Sequence, residues 1–152
     1  MKQFFFATAL LISQLLNGAP PNTKDTLEER FKTMFPEAEQ VIWHITDNGY
    51  EVAFRSNHVD CRMWFREDGH IDRTIRYYLV DHLPPFILAK ITEKYPAKKV
   101  FGIIEVTSEE GLTYTIILED EKQWWHVRSD AIGNTSVIHK YKKLKQKRTV
   151  IL

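Results

Sequence analysis

The strongest constraint on this chain is a pattern of elements that it spells twice. Thr26-Leu-Glu-Glu29 has the spacing of a capping box, in which a Thr hydroxyl and a Glu carboxylate satisfy free N–H groups at a helix start. Leu27, Phe31, Met34 and Phe35 follow at helical spacing, and Pro36 stops the helix. Val41 to Ile45 then reads as a strand, and Asp47-Asn48-Gly49 as a hairpin turn. Tyr50, Val52 and Phe54 alternate with Glu51, Ala53 and Arg55, and Cys61, Met63 and Phe65 with Arg62, Trp64 and Arg66. Asp68-Gly69 turns the chain again, and Ile71, Ile75, Tyr77 and Leu79 share one parity of a fourth strand.

The second round keeps that order. Pro84-Pro85 suits a helix start, where no N–H is needed. Ile87, Ile91 and Tyr95 form the apolar stripe, and Pro96 ends it, so Tyr95-Pro96 answers Phe35-Pro36 sixty residues on. Val100 to Val106, Tyr114 to Leu118, Trp124 to Arg128 and Val137 to Tyr141 supply four more strands, with turns at Glu109-Glu110-Gly111 and Gly133-Asn134. The expected fold class is α+β, with two tandem repeats, each one helix packed on a four-stranded antiparallel meander sheet. The expected divisions are a leader over 1–19, a first repeat over 20–82, a second over 83–141 and a basic tail over 142–152.

A helix covers one face of such a sheet and leaves the other open. By parity, Val41, Trp43, Ile45, Tyr50, Val52, Phe54, Met63 and Phe65 meet the helix, while Arg55, Arg62, Trp64, Arg66, Arg76 and Tyr78 look outward. The outward set of the second repeat is Phe101, Ile103, Trp124, His126 and Arg128. Arginine and aromatic side chains exposed together have the composition of a protein contact patch. The same side chains would also serve solubility, with Arg stems lying over the rings.

The chain has 152 residues, 43% of them hydrophobic and one of them Cys, which suits an ordinary globular core and excludes a disulfide framework. Its first twenty residues read as a secretory leader: Lys2, an apolar run from Phe4 to Leu16, then Gly18 and Ala19, near which cleavage is expected. A membrane anchor or a buried helix is the other reading of that run. The net charge of +1 conceals an asymmetry. All 20 acidic residues fall between Lys24 and Asp130, whereas Lys140, Lys142, Lys143, Lys145, Lys147 and Arg148 form a basic tail. The tail offers contact with an anionic membrane surface, or it is a solvated terminus. Nucleic acid is a poor partner for an exported protein.

Motifs for chemistry are sparse. The six His are scattered, none in an HExxH pattern, and no Cys pair offers a zinc site, so no metal ligands or cofactors are assigned. His58 and Asp60 precede Cys61, but strand alternation turns that thiol toward the core, where it is inert. Glu119-Asp120-Glu121 fits a solvated hairpin turn, and neither a phosphate loop nor a GxSxG elbow occurs.

Taken in order, Phe35-Pro36, Val41-Ile42-Trp43, Tyr50-Glu-Val-Ala-Phe54, Met63-Trp64-Phe65, Asp68-Gly69, Leu83-Pro84 and Tyr95-Pro96 resemble the β-lactamase-inhibitor-like, PepSY-like proteins of the bacterial envelope. The resemblance covers residues 26–141. It implies export, two tandem PepSY-like units and no established enzymatic activity. It also implies a shape similar to an inhibitor that lays a concave sheet and hairpin tips on a β-lactamase. That inhibitor closes its loops with disulfides, which Cys61 alone cannot do, and reaches its target with an acidic hairpin residue. Asp47 occupies a comparable tip, where Asp is also simply a good turn former.

Together these readings favour a periplasmic or secreted, non-catalytic protein-binding module, an inhibitor or sensor of an envelope or secreted protein. Its binding residues are expected to be Arg55, Arg62, Trp64, Arg66, Arg76, Tyr78, Trp124, His126 and Asp47. A peripheral membrane-surface protein using the basic tail is the alternative, and an unrecognised enzyme the third.

Overall fold

The computed structural model describes residues 24–144. Helix α1 (Lys24–Met34) is followed by β1 (Glu39–Thr46), β2 (Gly49–Ser56), β3 (Val59–Arg66) and β4 (Ile71–Tyr78). A short 3₁₀ turn, Val80–His82, leads into α2 (Pro85–Lys94) and then β5 (Lys99–Ser108), β6 (Gly111–Glu119), β7 (Gln123–Asp130) and β8 (Thr135–Lys142). The expected leader and most of the basic tail lie outside the described residues.

The strands do not form two four-stranded sheets. They make one eight-stranded antiparallel meander in the order β1 to β8, and the join is the β4–β5 pair, which runs from Arg73↔Ser108 to Tyr78↔Ile103. The expectation of two separate helix-on-sheet repeats is therefore corrected. Separate sheets would leave β4 and β5 as edges, each with a row of unpaired N–H and C=O groups, and direct pairing removes both.

Both helices lie on one face. Leu27 and Phe31 of α1, and Ile87 and Ile91 of α2, are buried in a single cluster with Val52, Phe54, Cys61, Met63, Phe65, Ile103, Ile116, Leu118 and Val127. The Phe31 ring meets Phe54 and Trp43 edge-on, at centroid distances of 4.9 and 5.6 Å. Pro85 takes the first turn of α2, and the Tyr95 N–H closes its last turn on the Ile91 carbonyl. Helix α1 is already running at Lys24, so Thr26 lies inside its first turn and not at the cap the sequence suggested. Val41 and Ile45 were expected under the helix, but they are exposed because β1 is an edge strand at the margin of α1.

Bulges decide which side chains reach which face. In the β3–β4 pair the register steps between Trp64↔Arg73 and Phe65↔Ile71, leaving Asp72 as the extra residue. Ile71 therefore shares the helix-covered face with Phe65, but after the bulge the parity reverses. Thr74, Arg76 and Tyr78 point to the helix side, and Arg73, Ile75 and Tyr77 to the open side. A second bulge at Phe101, between Val100↔Leu118 and Gly102↔Ile117, sends Ile103 into the core, where it is buried.

Candidate functional site

The open face is built from side chains opposite the helices on all eight strands. Its centre is apolar on β4 and β5, where Ile75 and Tyr77 stand beside Val106 and Ile104; on β6 Thr113 and Thr115 follow opposite them, with Ile117 one row further along, beside Gly102. No element among the described residues covers them, and Tyr77 is 39% exposed. To one side is Trp64 on β3, its ring carrying the Arg73 guanidinium at 4.5 Å. To the other are Trp124 and His126 on β7, with Tyr141 and His139 opposite them on β8. Phe101, pushed outward by its bulge and 56% exposed, meets Trp124 edge-on at 4.7 Å.

Charged groups on this face are partly committed to neighbours. Arg62 donates to Glu51 at 3.1 Å, and Arg55 lies 3.9 Å from Asp60. The Arg55–Asp60 pair is largely solvated and orients its guanidinium more than it stabilises the fold, whereas Glu51 of the other pair is mostly buried. At the upper rim Arg66 holds Glu109 at 2.5 Å and Asp72 at 3.4 Å. It thus ties the bulge of β4 to the β5–β6 tip.

Of the residues expected to bind, Arg55, Arg62, Trp64, Trp124 and His126 share the open face, with Arg66 at its rim. Asp47 is exposed at the β1–β2 tip, where Asp47 and Asn48 form a two-residue loop between paired Thr46 and Gly49. Arg76 and Tyr78 are not part of this face. The bulge at Asp72 turns them to the helix side, where Arg76 donates to Glu105 at 3.0 Å and the Tyr78 hydroxyl to the same carboxylate at 2.6 Å. Burial, with Glu105 beside it, pushes the Tyr78 phenol well above its ordinary range. Arg73, Ile75, Tyr77, Ile104, Val106, Ile117, His139 and Tyr141 are members of the open face that sequence parity did not assign to it. For Arg73 and Tyr77 the single lost signal is the extra residue Asp72.

A sheet of eight strands is about 34 Å wide, and two helices of about 10 Å diameter cannot cover it. On the helix side this leaves a cleft of about 1060 Å³ over β3, β4 and β5, lined by Phe35, Phe54, Cys61, Met63, Arg76 and His82 among others. The Cys61 thiol below it is buried, and desolvation raises its pKa despite the nearby Arg76, which favours the protonated thiol. Among the described residues no three His, Cys, Asp or Glu side chains gather as a metal cage. No described helix is long and apolar enough to cross a membrane.

The sequence matches no protein-family model and no curated protein. Solved structures are similar in fold. A BLIP-like protein from Bacteroides fragilis NCTC 9343 superposes with a TM-score of 0.60 at 17% identity, covering 87% of this chain and 93% of that one. A protein from Bacteroides eggerthii DSM 20697, provisionally described as periplasmic, gives 0.60 at 18% identity over 83% and 90%. A DUF2874 family protein from Bacteroides ovatus ATCC 8483 gives 0.61 at 19% identity over 82% and 89%. The fold of this chain is therefore BLIP-like.

Proposed function

We propose that the chain is an exported, non-catalytic module that binds an envelope or secreted protein through the open face of its sheet. The observation that carries this reading is the uncovered apolar cluster of Ile75, Tyr77, Val106 and Ile104 at the middle of the face, with Trp64 and Arg73 toward one end of the sheet and Ile117 and Trp124 toward the other. A sheet face meant for water alone would alternate to polar residues there. Aromatic side chains beside Arg supply both apolar area and forked hydrogen bonds, as contact centres do. The BLIP-like fold and the provisional periplasmic description of one structural neighbour support export and binding. The leader-like first twenty residues agree with them. The PepSY-like family and the contact roles of Arg55, Arg62, Arg66, His126 and Asp47 belong to this proposal.

The test is affinity capture from envelope extract, followed by titration calorimetry on the captured protein. Trp64→Ala and Trp124→Ala should each weaken binding by about 1–2 kcal/mol or more while the melting curve stays within about 1 kcal/mol of wild type. A change at exposed Lys32 on α1 should do little. A partner that binds both Trp variants as tightly as wild type rejects the open face. Retention by anionic vesicles alone, lost in high salt, would point instead to a membrane-surface role for the basic tail.

A further inference from the structure

We propose that His126 and His139 form a two-imidazole site for a divalent first-row transition-metal ion, such as copper(II), nickel or zinc, at the β7–β8 margin of the open face. The two residues are direct cross-strand partners, so their side chains leave the same face side by side. Their ring centroids are 6.4 Å apart and the rings are inclined at 74°. The site goes beyond the protein-binding reading and does not depend on it.

The geometry can be compared with what an ion needs. With the metal about 2.0–2.1 Å from one nitrogen of each ring, each ring centre lies about 3.2 Å from the ion, and a tetrahedral angle brings the centres to about 5.2 Å. The observed spacing thus requires a closure of about 1 Å for a tetrahedral ion and about 2 Å for adjacent positions of a tetragonal copper(II) or nickel ion. Two features make that closure accessible. His139 is exposed on an edge strand, with no further strand beside it among the described residues. The β7–β8 register also steps between His126 and Val127, and such a bulge tilts the adjoining side chains.

The surroundings define the kind of site. Tyr141 packs against both rings, at 5.1 Å from His126 and 5.9 Å from His139, and so walls one side of the pair. Among the described residues no thiol or carboxylate completes a three-residue set, so water or a donor from a bound molecule would fill the remaining positions. Two imidazoles suit copper, nickel and zinc and do not suit magnesium or calcium, and copper(II) should bind most tightly of the three. Only neutral imidazole ligates, so binding releases protons and weakens in acid.

The experiment is calorimetric titration of the full chain without any affinity tag, using copper(II), nickel and zinc salts in a non-coordinating buffer. Wild type should take up one ion per chain. His126→Gln and His139→Gln should each weaken binding by about tenfold or more, and His44→Gln, a solitary exposed His on β1, should leave it unchanged. Far-UV circular dichroism checks that the variants fold. The copper(II) electron paramagnetic resonance spectrum gives a second readout: coupling to two imidazole nitrogens in wild type and to one in each variant. Absence of saturable binding below millimolar ion, or binding that survives both substitutions, overturns the proposal.

Discussion

Gly49 is where the packing of this sheet can be tested most sharply. It opens β2 with φ +135°, and a Cβ placed on it would lie 2.1 Å from the Phe65 carbonyl oxygen and 2.8 Å from the Arg66 carbonyl carbon. Both obstacles are backbone atoms of the paired strand, so no side chain can swing away. Restoring ordinary contact would move β2 and β3 apart by more than 1 Å, where paired strands normally stand about 4.8 Å from each other. Gly111 opens β6 with a similar φ of +112°, but a Cβ there meets nothing within 4 Å. Gly111→Ala therefore isolates backbone strain, of order 1–3 kcal/mol. Gly49→Ala adds to that strain one or two disrupted ladder hydrogen bonds, for a total of about 3–5 kcal/mol. Urea melts at 25 °C, with Gly102→Ala as a near-neutral reference whose Cβ meets only the Tyr78 oxygen at 3.9 Å, would measure the difference. Equal losses for Gly49→Ala and Gly111→Ala would show that the β2–β3 hairpin relaxes freely at its end, and the clash reasoning would fail.

Cys61 should react slowly with a thiol reagent in the folded protein and quickly once unfolded, since burial both shields it and raises its pKa; rapid labelling of the native form would contradict its place in the core. Asp120 is held below the usual carboxylate range by the Lys98 ammonium first, then by the N–H groups of Lys122 and Gln123 and the Trp125 indole. Its contribution to stability is therefore full above about pH 4 and lost as pH falls toward its folded-state value. Denaturant melts over that acid limb should show a flatter pH dependence for Asp120→Asn than for wild type. Asn57 and His58 both have positive φ, at 49° and 63°, in the two-residue loop between Ser56 and Val59. His58→Gly should raise stability by up to about 1 kcal/mol, because relief of left-handed strain exceeds the added chain entropy; a loss on thermal melting would refute this.

The element order was legible because each helix ends in an aromatic-Pro pair and each strand alternates. The burial of Val52, Phe54, Met63 and Phe65, and of Tyr114, Ile116 and Leu118, follows directly from that alternation. Two things were not legible. Periodicity describes one strand at a time and carries no information on whether β4 stops at its own sheet or pairs with β5, so a single sheet and two sheets have the same pattern. A bulge also adds one residue without changing composition. Asp72 reverses the parity of all that follows it in β4, which is why Arg76 and Tyr78 were expected outside and Tyr77 inside. Phe101 does the same to Ile103. The open face was thus readable on β2, β3 and β7, where each extra residue of a bulge falls on the partner strand, and misread on β4 and β5, which carry the extra residue themselves.

Size also bears on how this face would be used. Eight strands of about eight residues present roughly 34 Å by 26 Å, some 900 Å² in outline, close to the 800 Å² or so that each partner contributes to an interface of standard size. Trp64 on β3 and Trp124 on β7 stand four strands apart, about 19 Å across the sheet, and their rows meet β5 at its opposite ends, Ser108 and Lys99, so they are about 30 Å apart in all, too far to share a contact or to couple through one. A partner that spans the face must lose affinity from either substitution, with the two losses adding in the double variant. A partner seated over β3 to β5 would respond to Trp64→Ala alone and, covering three of the eight strands, would bury only a little over a third of the area, which places it among weak, transient contacts. The pair of tryptophans therefore measures the footprint as well as its existence, because their separation comes from the single continuous sheet. Two independent four-stranded sheets would have had no fixed distance between them.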